Sequence, residues 1–263
     1  MSSSPGTRHT RAIGVDIGGS GIKGALVDLV AGDFAADRVR IPTPQPSTPD
    51  AVTEVVAAVV RAVGGDDDHG LPVGVTFPAV VQHGVARTAA NVDHAWIGTD
   101  VAAAVRDATG HPAHVVNDAD AAGVAEARFG AARDVAGVVL VTTLGTGIGS
   151  ALFVDGVLVP NTELGHLEID GHDAETRAAD AAREREGLSW EHWARRLERY
   201  YRVVEDLFWP DLIVVGGGVS KHHEKFLPLL GLRTPIVPAR LRNRAGIVGA
   251  AALASEQRAS ASP

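Results

Sequence analysis

The chain has 263 residues, no cysteine, 24 Lys plus Arg against 32 Asp plus Glu, and a formal net charge of −8. That length can bury a substantial core in one large domain or two modest ones. The acidic balance argues against a general nucleic-acid binder, the missing cysteines exclude disulfides and thiolate metal sites, and no apolar run reaches the roughly 18 residues of a membrane span.

Residues 1–10 are polar and Ser-rich, without the apolar core of a secretory signal. They read as a disordered tail, and a cytoplasmic location is the simplest expectation. Ala12 to Gly18 and Ile22 to Leu29 read as two strands joined by Gly18-Gly19-Ser20-Gly21. Successive N–H groups in such a turn can cradle phosphate oxygens. Asp16, at the strand end, could hold a hydrated magnesium ion. The other reading is a plain hairpin whose glycines supply φ > 0. Phe34 to Ile41 reads as a third strand, followed by a Pro-rich connector. Thr48-Pro49-Asp50 starts a helix that runs to about Val63.

Val73 to Phe77 is an apolar strand, and a hairpin follows around His83-Gly84. The loop Asn91 to Gly98 offers amide, carboxylate and aromatic groups that suit a small sugar; a packed surface loop with one buried tryptophan is the competing account. Thr99-Asp100 caps a helix ending near Gly110. Ala113 to Asn117 is the central strand, and Asp118 to Phe129 the helix after it. Asp118 therefore stands at the carboxyl end of a strand, where α/β enzymes place their chemistry. It reads as a catalytic base, or as a helix cap.

Val138 to Thr143 and Ser150 to Val154 form a second strand–turn–strand unit around Leu144-Gly145-Thr146-Gly147-Ile148-Gly149. Two such units predict a duplicated fold, with two halves facing one another across a cleft. Asn161 to Glu175 is a polar loop suited to sugar hydroxyls; its histidine spacing is not that of a zinc site. Ala174 to Arg185 reads as a charged helix. Ser189 caps a longer one to about Phe208, whose aromatic stripe could pair two subunits into a homodimer. Leu212 to Val215 leads into Gly216-Gly217-Gly218 and a helix, a place for a base or a phosphate. Ala245 to about Ala254 is a final apolar helix.

These motifs resemble, in order, those of the ROK (repressor, open reading frame, kinase) family of sugar kinases. Asp16-Ile17-Gly18-Gly19 and Leu144-Gly145-Thr146-Gly147-Ile148-Gly149 look like its phosphate motifs, Asn117-Asp118 like its sugar and catalytic pair, Glu163-Leu164-Gly165-His166 like its E-x-G-H signature, and Val215-Gly216-Gly217-Gly218 like its adenosine motif. Typical members follow the histidine with a zinc-binding cysteine cluster. None exists here, so no zinc is expected and His166 should be left for sugar. That departure, Ser20-Gly21-Ile22-Lys23, and Leu167-Glu168-Ile169-Asp170-Gly171-His172 look like the polyphosphate-dependent glucokinase branch.

The resemblance implies an α/β, two-domain, actin-like ATPase (ribonuclease H-like) fold. The expected divisions are a small domain at 11–114, with helix 245–257 packing back on it, and a large one at 115–244. It implies transfer to the glucose 6-hydroxyl from inorganic polyphosphate, often with ATP as second donor, using Mg2+. Asp118 would be the base. Asn91, Asn117, Asp118, Glu163, His166 and Glu175, with Glu168 second to Glu175, would hold the sugar. Asp16, Gly18, Gly19, Ser20, Gly21, Lys23, Thr143, Gly145, Thr146, Gly147, Gly216, Gly217, Gly218 and Ser220 would hold the donor. Lys221, Lys225, Arg240, Arg242 and Arg244 are expected to form a local track for the polyanion. The rivals are a strictly ATP-dependent hexose or amino-sugar kinase and a non-catalytic sugar-binding relative. The choice between glucose and mannose stays open.

Overall fold

The computed structural model describes residues 10–64, 70–89 and 92–261. Its first elements are β1 (Arg11–Gly18), β2 (Gly21–Asp28), β3 (Asp33–Phe34), β4 (Val39–Ile41), α1 (Pro49–Gly64), β5 (Val73–Phe77), β6 (Val81–Gln82), β7 (Val85–Ala86), α2 (Val101–Thr109), β8 (Ala113–Asn117) and α3 (Asp118–Phe129). Then come β9 (Val138–Leu144), β10 (Ile148–Val154), β11 (Val157–Val159), β12 (Glu168–Ile169), β13 (His172–Asp173), α4 (Glu175–Ala178), α5 (Asp180–Arg185), α6 (Trp190–Phe208), β14 (Leu212–Gly216), β15 (Ile236–Pro238) and α7 (Ala245–Ala261).

The chain divides into two compact units: the part up to Ala125 with the part from Arg244 onward, and Glu126–Asn243. The sequence reading put the division at 115. Strand β8 pairs in parallel with β5 from Val73↔Ala113 to Phe77↔Asn117, so it and the start of α3 belong to the first unit.

The first sheet has the order β3-β2-β1-β5-β8, with β4 also on β2. The second has the order β11-β10-β9-β14-β15. Each therefore runs third, second, first, fourth, fifth strand, with an antiparallel hairpin first and parallel strands after it. This repeated topology is the duplication that the two glycine hairpins predict.

In the first unit Ile13, Val15, Val73 and Val75 are fully buried, as strands covered on both faces require. Helix α1 buries Val52, Val56, Val59 and Val60, the i, i+4, i+7, i+8 stripe of an amphipathic helix. Helix α7 packs on β1 and β5 at glycines: a Cβ on Gly14 would lie 2.1 Å from the Ile247 carbonyl oxygen, and one on Gly74 1.9 Å from that of Ala250. Trp96 is wholly buried, donates Nε1–H to the Ser47 carbonyl at 2.9 Å and packs on Phe77 with centroids 4.8 Å apart. It is thus a core residue and not an open sugar wall. Asn91, expected beside it, lies outside the described residues.

In the second unit α6 turns Trp193, Leu197, Tyr200, Tyr201 and Val204 into the core. Ser189 caps it, accepting from His192 N–H. Two expected elements are broken. The strand Phe34 to Ile41 is two short ones, β3 and β4. The helix Ala174 to Arg185 is α4 and α5, because Ala179 leaves helical geometry at ψ 158°. No helix among the described residues is long and apolar enough to cross a membrane.

Candidate functional site

The first half-site is the β1–β2 hairpin. Gly18 pairs with Gly21, so Gly19 and Ser20 form a two-residue turn, and both are exposed. Arg40 Nη2 donates to the Ser20 carbonyl at 2.8 Å, and Thr43 Oγ1 donates to that of Gly18. The turn's carbonyls are tied back in this way. Asp16 Oδ1 accepts from Thr76 Oγ1 at 2.7 Å, and Asp16 Oδ2 lies 3.3 Å from Lys23 Nζ. Each oxygen of Asp16 thus has one protein partner, and its side chain stays 28% exposed. A hard, partly open carboxylate of this kind fits a hydrated divalent ion held through water.

At the β8–α3 junction Asn117 and Asp118 divide two tasks. Asn117 Oδ1 accepts from Ala119 N–H at 2.8 Å and Asp120 N–H at 3.3 Å, and its Nδ2 donates to the Ala79 carbonyl at 3.1 Å. Asn117 is the helix cap, and its amide is committed to backbone at both ends. Its Oδ1 is thus taken up by the cap, and the expected sugar contact falls to the second Nδ2 hydrogen. Asp118 occupies the first helical position with an exposed carboxylate, one oxygen of which accepts from Ala119 N–H at 2.8 Å. Its anion is favoured there by the helix dipole.

The second unit gathers the acidic loop. Ser150 Oγ donates to the Thr162 carbonyl at 2.7 Å and accepts from Leu164 N–H at 3.0 Å, which pins the segment carrying Glu163. A 3-10 turn over Leu164–His166 follows, and then the β12–β13 hairpin through Asp170 and Gly171, both at positive φ. The stretch expected as a loop is therefore ordered by a short hairpin. It brings Asp173 Oδ2 to 2.8 Å from His166 Nδ1. Glu175 Oε1 is 4.0 Å from the same nitrogen, and Glu163 Oε2 is 3.8 Å from Nε2.

The hydrogen bond that His166 Nδ1–H donates to Asp173 raises the His166 pKa above the ordinary imidazole value, with Glu175 and Glu163 adding to it. Burial raises that of Glu163, and the charge of Glu175 adds to the effect. His166, Asp173 and Glu175 stand close enough together to share one cation; all three are equally what a sugar's hydroxyl pairs require. The sequence pattern does not single out Asp173. The Asp170-Gly171 dipeptide, a hairpin-turn signal, is the clue that folds it back. Glu168 is exposed and pairs with Asp173 across the hairpin, and its side chain makes no hydrogen bond or ion pair with this group among the described residues.

Glu175 also reaches the second glycine hairpin. Its Oε2 accepts from Ile148 N–H at 3.0 Å. A Cβ on Gly147 would lie 2.3 Å from that oxygen, and one on Gly165 3.2 Å from it. In the hairpin, Thr146 is exposed, Thr143 is half-buried, and the Gly145 carbonyl accepts from Ala181 N–H at 3.0 Å.

The third glycine turn departs from β14. Gly217 has φ 81°, and a Cβ there would lie 2.2 Å from the Leu144 carbonyl oxygen. Only glycine fits against the second hairpin at this point. Gly218 is exposed with open space around it. Ser220 is buried and bonds its hydroxyl to the Gly217 carbonyl at 2.8 Å, closing the turn. The segment beyond, Gly218–Lys225, is a kinked 3-10 turn and not the expected α-helix.

The expected cation track is divided. Lys221, Lys225, Arg240 and Arg242 are exposed in the second unit, with Lys225 Nζ over the Trp190 ring at 5.4 Å. Arg244 belongs to the first unit, where it pairs with Asp33.

Comparison with known proteins follows this pattern. The ROK family model matches residues 12–180. The polyphosphate glucokinase of Mycobacterium tuberculosis is 49% identical over 252 residues, covering 95% of this chain and 94% of that protein. The crystal structure of an inorganic polyphosphate/ATP-glucomannokinase from Arthrobacter sp. strain KM superposes with a TM-score of 0.89 at 58% identity, covering 95% of this chain and 100% of that one. A ROK family glucokinase from Streptomyces griseus, solved with glucose and AMPPNP, shares the fold at a TM-score of 0.76 and 24% identity, covering 94% of this chain and 99% of that one. The duplicated α/β architecture is thus the two-domain, actin-like fold of these kinases. The chain belongs to the ROK family.

Proposed function

We propose that the chain is a sugar kinase that phosphorylates the 6-hydroxyl of glucose, with inorganic polyphosphate and also ATP as donors. The observation that carries this reading is the exposed Asp118 carboxylate just past the carboxyl end of β8, beside the capping Asn117. The names of the relatives at 49% and 58% identity support the donor and the acceptor.

Asp118 accepts the proton of the 6-hydroxyl as that oxygen attacks the terminal phosphoryl group. The O–P bond to the rest of the donor breaks, and the donor leaves one phosphate shorter. Glu163, His166 and Glu175 fix the other sugar hydroxyls, and Asp173 holds His166 so that Nε2 faces them. Such positioning supplies much of the rate enhancement in phosphoryl transfer. The N–H groups of the Gly19-Ser20 and Gly145-Thr146-Gly147 turns, with Lys23, take the phosphoryl oxygens. Asp16 would hold a hydrated Mg2+, which supplies charge neutralisation on the donor. The turn Gly216-Gly217-Gly218 accommodates the adenosine of ATP.

The test is a coupled assay of glucose and mannose against polyphosphate and ATP. Glucose 6-phosphate formation from polyphosphate is expected. Transfer from ATP alone would replace this reading with the strictly nucleotide-dependent one, and transfer from neither donor would overturn it.

A further inference from the structure

Helix α6 has a second patterned face beside its aromatic core stripe. His192, Arg195, Arg196 and Arg199 recur at i, i+3, i+4 and i+7, so they share one side of the helix. With His172 and Arg177 they line a cavity of about 610 Å³ inside the second unit. That volume lies in the usual range for small-ligand sites. Four arginines line it against a single carboxylate, Asp170. In a chain of net charge −8 this is a marked local reversal.

Among the described residues, the chain's own acids pair with only two of the four arginines. Asp170 takes Arg199 at 3.0 and 2.8 Å, and Glu186 takes Arg196 at 2.7 Å. Arg195 has no ion-pair partner among the described residues, although Glu191 is near enough to feel its charge. Arg177 Nη2 donates to His172 Nε2 at 2.8 Å. An imidazole carries no negative charge, so this partner does not offset the charge of Arg177. Tyr200 forms part of the wall, with its hydroxyl buried.

We propose that this cavity is an oxyanion site for phosphoryl groups, separate from the glycine hairpins, with Arg177 and Arg195 as its charged anchors. Planar guanidinium forks suit phosphate oxygens. The cavity is larger than one phosphate needs, which fits a short run of linked phosphates. The source of the phosphoryl group is either such a chain or a free phosphate.

Calorimetric titration of the full chain, without sugar or divalent metal, tests this with orthophosphate, tripolyphosphate and long-chain polyphosphate. Because no turnover is involved, the outcome is independent of the proposed kinase reaction. Tripolyphosphate is expected to bind, and Arg195→Glu to weaken one class of site at least tenfold. Lys23→Ala, in the β1–β2 hairpin, should leave that class intact. Arg195 is an exposed helix position, so its variants should melt like the wild type; Arg195→Gln removes the charge without reversing it and should weaken binding less. Affinity that climbs with chain length assigns the site to the polymer, and equal binding of orthophosphate assigns it to a free phosphate. The proposal is overturned if the wild type binds none of the three, if both Arg195 variants titrate like it, or if Lys23→Ala removes all binding.

Discussion

The division of labour between Asn117 and Asp118 makes a quantitative prediction. Asn117→Ala removes the oxygen that accepts from Ala119 and Asp120 and the amide that donates to Ala79. Losing an Asn cap costs typically ~1 kcal/mol. The lost bond to a backbone carbonyl adds ~1 kcal/mol. Together the first unit loses about 2 kcal/mol, which at about 2–4 °C per kcal/mol lowers Tm by about 4–8 °C. Asn117→Ser restores a good cap but cannot reach Ala79, so it should recover about half of that loss. In steady-state assays Asn117→Ala should lower kcat, because the first turn carrying Asp118 frays, while the glucose KM changes less than threefold. Differential scanning calorimetry and glucose titrations measure both. If Asn117→Ala melts like the wild type while glucose KM rises tenfold or more, the side chain binds sugar and the capping argument is wrong.

Four other perturbations follow from the same geometry. Asp118→Asn should reduce kcat by about 10²–10⁴, the usual worth of a general base, yet keep glucose binding in a fluorescence titration; near-normal turnover ends its role as base. Asp173→Asn removes the main cause of the raised His166 pKa, so the imidazole titration followed by NMR should fall toward the ordinary value. Since the folded-state pKa is raised, this pair's contribution to stability is present at pH below the ordinary imidazole value and fades as pH rises through the raised one; in Asp173→Asn that pH dependence should flatten. Gly147→Ala puts a methyl 2.3 Å from Glu175 Oε2, so Glu175 must leave Ile148 N–H, and sugar KM should rise with little change in Tm. If a cation track serves the polymer, the polyphosphate KM should rise with salt much more steeply than the ATP KM; equal slopes count against the track.

Much of this arrangement is legible in the sequence where local chemistry decides it. The runs Val73 to Phe77 and Ala113 to Asn117 match β5 and β8 because apolar residues bounded by Pro, Gly or Asn leave few alternatives. His83-Gly84 and Asp155-Gly156 turn as hairpins do, both residues of each at positive φ. What stays hidden depends on contacts between distant segments. Asp173 gains its meaning only when Asp170-Gly171 folds it back on His166. Asn117, an excellent cap by type, is overshadowed in the sequence by the carboxylate beside it. The basic stripe of α6 is present at helical spacing, but the aromatic stripe on the same helix explains the pattern first. Only the cavity that the stripe lines gives it a purpose of its own.

The duplicated sheets place different chemistry at the same position of each copy. The fifth strand of the first sheet, β8, ends at Asn117 and delivers an exposed carboxylate at the start of a helix. The fifth strand of the second, β15, ends at Pro238 and delivers Arg240 and Arg242, both exposed. The same topological position thus carries a carboxylate in one copy and cations in the other. Different anchors hold the two. The first uses the cap by Asn117. The second uses the buried Glu126 carboxylate, which accepts from Leu241 N–H at 2.7 Å and from Ala131 N–H at 2.7 Å. A buried carboxylate with two charge-assisted bonds costs more to remove than a surface pair. Glu126→Gln keeps the shape but weakens both bonds, so it should destabilise the second unit by about 1–3 kcal/mol. Arg240 and Arg242 would lose their fixed position with it. If the cations matter for the polymer, this variant should raise the polyphosphate KM while leaving the ATP KM within about twofold. Equal changes in both would mean that Glu126 is structural only.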